Sequence, residues 1–186
     1  MFEITPNWHP IFVHFTVALF TISTVFYFLA LASHSLVGPR PITSEFEIAA
    51  RWCLWMSAFI TIFTVLAGLY AYNTVRHDAI SHIAMTNHRN WAFITASGIM
   101  LVAIWSVWRY YKSKKISILF FTIVTIIECL LLITAWKGGE LVYRYGIGVM
   151  ALPQLENEVH HHEGLMENTE SISPVMKTKQ VHEHTH

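Results

Sequence analysis

The chain has 186 residues, 54% of them hydrophobic and 13% charged, with a formal net charge of zero. A soluble domain carries about a quarter charged residues, so a water-exposed globular protein is excluded. The balanced charge offers nothing that nucleic acid or an acidic partner would hold.

In chain order, four apolar runs are long enough to cross a bilayer, which takes about 20 residues each. They cover about 11–32, 54–72, 91–108 and 116–136. Pro10 suits the first helical turn, where its missing N–H has no partner to lose. No Lys or Arg precedes the first run, so it does not read as a signal peptide. Trp8, Trp52, Trp55, Trp91, Trp105, Trp108 and Trp136 lie at or near run ends, as an aromatic belt does. Cys53 and Cys129 lack metal-ligand spacing and are not expected to bridge. The expected fold is all-α: an integral membrane four-helix bundle over residues 1–152, with a disordered, histidine-rich tail over 153–186. No internal repeat is evident.

Arg40, Arg51, Arg109, Lys112, Lys114 and Lys115 fall in the first and third connections, against Arg76, Arg89, Lys137 and Arg144 on the other side. The positive-inside rule then places both termini outside the cytoplasm, periplasmic in a bacterial inner membrane. Twelve histidines are present. With that orientation His34 alone is cytoplasmic, and the others share the outer face.

His14 lies about one turn into the first span, and His88 opens the third at a comparable depth. Neutral imidazole is a common metal ligand and can hold haem iron axially. Two readings stand for this pair: ligands of a haem or metal, or hydrogen-bonded interfacial histidines. Small residues beneath them (Ala18 and Thr21; Ala92, Thr95 and Ala96) leave room for a flat macrocycle, or let helices approach. Arg89 and Arg144 suit haem propionates. His77 and His82, with Asp78, form a second group that is either a reserve metal site or a solvated loop, and His9 can join it. Glu128 sits inside the fourth span, roughly 12 Å from its outer end. It reads as a proton-transfer group or as a neutral acid bonded to a neighbouring helix, with His14 its partner by depth. Ser57, Thr61, Thr64 and Gly68 share one helical face and are expected to pack inward. Gly138 and Gly139 can end a helix, and the segment after them either folds over the histidines or leaves the membrane plainly.

HPIFVHFTVAL, NHRNWA and GGELVYRYGIGV resemble motifs of the bacterial membrane-protein family known as domain of unknown function 2231. The matching positions are His9, His14, His88, Gly138, Gly139 and Tyr143, and the resemblance covers roughly residues 8–150. Thr16 stands where the family usually has proline. The family name implies no activity, while relatives fused to redox modules would fit electron transfer by analogy. The expectation is therefore an electron-transfer protein in the lipid bilayer, holding b-type haem near the periplasmic face and meeting a redox partner protein or quinone. The alternatives are a membrane protein binding copper or a similar ion, and a non-catalytic subunit of a membrane complex. No nucleophile-and-base set appears.

Overall fold

A computed structural model describes residues 8–38, 41–75, 79–114 and 116–149. Four helices follow one another: α1 (His9–Val37), α2 (Pro41–Thr74), α3 (Ala79–Tyr111) and α4 (Ile118–Tyr143). All four are long and apolar enough to span a membrane. The protein is a multi-pass membrane protein.

The helices outrun the apolar windows. α2 and α3 have 34 and 33 residues, about 50 Å each against a hydrocarbon core of about 30 Å. Hydropathy marks the part in hydrocarbon, while the backbone ladder continues through the polar ends. The segment around His82, expected as a loop, is therefore the first turns of α3. His77, Asp78 and the tail histidines lie outside the described residues. The glycine pair does not end α4 either. The helix runs through Gly138 and Gly139 to Tyr143, and closing turns bond Gly146 N–H to the Val142 carbonyl and Ile147 N–H to that of Leu141. Gly146 adopts φ 61°, the left-handed conformation such an ending needs.

Each helix touches two neighbours, α1 on α2, α2 on α3, α3 on α4 and α4 on α1, so α1 and α3 stand diagonally. The core is apolar, around Phe20, Leu54, Ile99 and Val124, and so is the outer surface. Phe15, Phe28, Phe59, Leu66, Leu101 and Ile104 point outward, where lipid tails are as apolar as they are. Thr16, Ser23, Ser57, Thr61, Thr95, Ser106, Glu128 and Thr134 are buried. Small hydroxyl residues let helices approach closely and bond across the interface. Ser57 Oγ donates to the Thr16 carbonyl (3.1 Å) and Ser23 Oγ to that of Ala50 (2.7 Å). Of the inward face expected of Ser57, Thr61, Thr64 and Gly68, Ser57, Thr64 and Gly68 turn to α1, and Thr61 is buried but lines the groove towards α3.

The second hairpin repeats the first, although the sequence shows no evident repeat. The alternation of buried, half-buried and exposed positions over 12–23 recurs unchanged over 91–102, and that over 51–63 recurs over 121–133. Phe20 and Ile99, Leu54 and Val124, and Ala58 and Glu128 thus occupy equivalent buried places. So few of these pairs are identical that the sequence hides the repeat.

Candidate functional site: a histidine pair at one end of the bundle

The repeat is sharpest at the end where α1 begins. There, His9 Nδ1–H donates to the Thr64 carbonyl of α2 (2.9 Å). In the second hairpin, the Thr134 carbonyl of α4 lies beside the His88 ring without a hydrogen bond to its Nδ1. One turn beyond each carbonyl comes a glycine. A Cβ on Gly68 would lie 2.9 Å from the His9 ring, and one on Gly138 would lie 3.1 Å from His88 Cε1. Seven residues after each histidine comes a threonine, and both close the same contact: Thr16 Oγ1 to Thr64 Oγ1, and Thr95 Oγ1 to Thr134 Oγ1, each 2.8 Å. Each hairpin thus seats one imidazole on a glycine and locks the helices beneath it with a threonine pair, and in the first the Thr64 carbonyl also holds the ring.

The seated rings meet across the bundle. His9 and His88 have centroids 6.3 Å apart and planes at 75°. His88 Nδ1 is buried with no hydrogen-bond partner. A cleft of about 300 Å³ between α3 and α4 opens beside it, lined in part by Asn87, Lys137 and Glu140.

The other residues that the sequence singles out are distributed differently. His14, expected opposite His88, is exposed, and its Nδ1–H donates to the Pro10 carbonyl one turn back (2.5 Å). It lies five residues from His9, about 140° around the helix at 100° per residue, so the two cannot serve one centre. His82 packs on Tyr72 with ring centroids 5.7 Å apart. Arg89 lies over the Tyr72 ring, 4.7 Å from its centroid. Arg144 pairs with Glu140 (2.7 Å) on the surface. Lys137, which in the sequence is only one more charge beside the glycines, sits over Trp91 in the cleft wall. Gly139 has nothing near its Cβ direction and Tyr143 is 94% exposed, whereas Tyr145 of the exit segment lines the cleft beside His88. Glu128 accepts from Thr21 Oγ1 (2.7 Å), not from His14.

The profile of a family described as "Predicted membrane protein (DUF2231)" matches residues 5–151. The chain belongs to that family. No curated protein matches it, and no solved structure does. Two of the features that define this DUF2231 protein's site, Thr64 and Gly68 on α2, lie outside the motifs that carried the resemblance. Their signal in the sequence is a Thr-x-x-x-Gly spacing in α2 that recurs as Thr134 and Gly138 in α4.

Proposed function

We propose that the protein carries electrons in the membrane and holds a b-type haem between His9 and His88. The observation that carries this reading is the convergence of two glycine-seated imidazoles from diagonal helices, of which His9 is also held by a backbone carbonyl. Axial ligation of haem by histidine on both faces needs two such rings. A hydrogen bond from the other ring nitrogen to a backbone carbonyl is the usual way a ligating histidine is oriented. The two rings lie with centroids 6.3 Å apart, and His9 and His88 are the residues that would hold the iron. The unpartnered, buried His88 Nδ1 supports the same reading. So does the expense of two glycines in helix interiors, where each costs about 1 kcal/mol relative to alanine.

The ligand pair is thus His9 with His88, in place of His14 with His88. Lys137, in the cleft beside His88, is better placed than Arg89 or Arg144 to meet a carboxylate at the edge of the group. Bound there, haem supplies one-electron chemistry. The chain's own contribution is to fix both rings, limit water and set the charge around them. Copper or zinc held by protein alone takes three or four ligands, and the described residues bring no such cluster together. The distribution of Lys and Arg supports a bacterial inner-membrane location with the histidine end facing the periplasm. A reporter fused after Met150 is then active only in the periplasm.

The test is a reduced-minus-oxidised spectrum of the full-length protein, purified in detergent from cells supplied with iron and haem precursor. An α-band is expected in the wild type and in His14→Ala, and its loss in His9→Ala and His88→Ala. A wild type without Soret absorbance overturns the reading, as does a band that survives both substitutions. Stoichiometric copper or zinc in its place points to the metal-ion class.

A further inference from the structure

The repeat supplies an internal control for the rest of the bundle. The hairpins meet along two seams, α2 with α3 and α4 with α1. The α2–α3 seam holds an open, mainly apolar groove of about 470 Å³ lined by Phe93 and Met100 among others, and Ala58, the repeat counterpart of Glu128, is buried on α2. The equivalent positions on the α4–α1 seam are His14, Thr21 and Glu128. Three apolar positions of the repeat are thus three proton-bearing side chains at their counterparts.

Two of the three are bonded to each other, and the third shares a helical stripe with them. Glu128 is 7% exposed. Thr21 Oγ1 donates to its Oε1 (2.7 Å), and Oε2 is buried without a hydrogen-bond partner. Thr21 and His14 are seven residues apart, so they share one stripe of α1, with Ala18 between them. His14 binds Pro10 through Nδ1, which leaves Nε2 to exchange protons at the exposed end. Among the described residues, no ion pair reaches Glu128. On α1 the stretch between His14 and His34 carries Tyr27 as its one titratable group. α3 carries none between Arg89 and Arg109.

We propose that His14, Thr21 and Glu128 form a proton-exchange site on the α4–α1 seam, open to solution at the histidine end. A proton taken up at His14 Nε2 crosses the gap at Ala18 through water and bonds to Glu128 Oε2. The carboxylate becomes neutral and the imidazole returns to its neutral form. The reverse sequence releases the proton. Thr21 is a positioning residue that fixes Oε1 and turns Oε2 to the path. None of these groups belongs to the His9–His88 pair, so the site stands whether or not haem binds.

Infrared spectroscopy of the full-length protein in vesicles tests it without any pigment. The wild type is expected to show a carboxylic-acid carbonyl band that is absent in Glu128→Gln and shifted in Thr21→Val. Replacing His14 by the phenylalanine of the other seam, His14→Phe, is expected to slow deuterium exchange of that band at least about tenfold, since a positioned acid–base group contributes 10²–10⁴ to proton transfer. Should Glu128→Gln fail to accumulate, the Thr21→Val shift still assigns the band. The proposal is overturned if no band responds to either substitution, or if exchange proceeds at the wild-type rate in His14→Phe.

Discussion

In the first hairpin, α2 fills its inward face with Ala58, Ser57 and Thr61. In the second, α4 puts Glu128, Ile127 and Leu131 at the same register, and all six are buried. At the histidine end the two hairpins instead agree residue for residue: His9 and His88, Thr16 and Thr95, Thr64 and Thr134, Gly68 and Gly138. Along the core, side-chain volume can be exchanged between helices as long as the sum fits. At the histidine end each residue answers to one geometric demand, a ring resting on a glycine above a bonded threonine pair. Identity at that end, and its absence elsewhere, shows that seating an imidazole constrains this fold more tightly than filling its interior.

The comparison can be broken most forcefully at the seams. Ala58→Glu puts a carboxyl where Glu128 has its counterpart, but opposite Met100 instead of a threonine. It is expected to destabilise the protein by about 2.5–3.5 kcal/mol, the order for an ionised residue at a helix centre in the membrane. Adding Met100→Thr is expected to restore part of that, read as unfolding in mixed detergent micelles. If Ala58→Glu is harmless, the seams are not different environments.

Next in size come the glycines. Gly68→Leu and Gly138→Leu drive side chains into the His9 and His88 rings. Each is expected to cost about 1–3 kcal/mol as overpacking and to abolish pigment binding. Gly139→Leu is expected to do neither, because nothing lies within 4 Å of its Cβ direction. Unequal losses at Gly68 and Gly138 would show that the two ring seats are not equivalent.

The threonine pairs make a finer probe. Double-mutant cycles with Thr16→Val and Thr64→Val, and with Thr95→Val and Thr134→Val, are each expected to give a coupling of about 0.6 kcal/mol, typical of interhelical hydrogen bonds in membranes. Two similar couplings sustain the repeat; a coupling in one hairpin alone weakens it. The smallest effect is expected outside the repeated unit. Arg144→Ala removes an exposed pair with Glu140 and should change stability by less than about 0.5 kcal/mol.

The span count was legible because hydrocarbon imposes a length on every crossing helix. The inward face of α2 was legible because Ser57, Thr61, Thr64 and Gly68 recur at helical spacing. Which histidine faces His88 was not. Depth along α1 favours His14, but facing rings need the right azimuth as well, and the ring that meets His88 is that of His9. The glycines of KGGELVY look like a helix ending when taken alone. Only the ring of His88 lying on Gly138 explains why one of them is there, and nothing comparable touches Gly139.

By itself the sequence determined the class of this protein: a membrane bundle of four helices with histidines gathered at one end. Apolar length and the placement of charge act locally, so they can be read one segment at a time. The tertiary structure decided which histidines face each other, what holds them, and that two dissimilar hairpins build the same seat. Those facts depend on how helices distant in sequence are rotated about their axes, and that rotation is fixed only when close packing brings a glycine under a ring and one threonine hydroxyl against another.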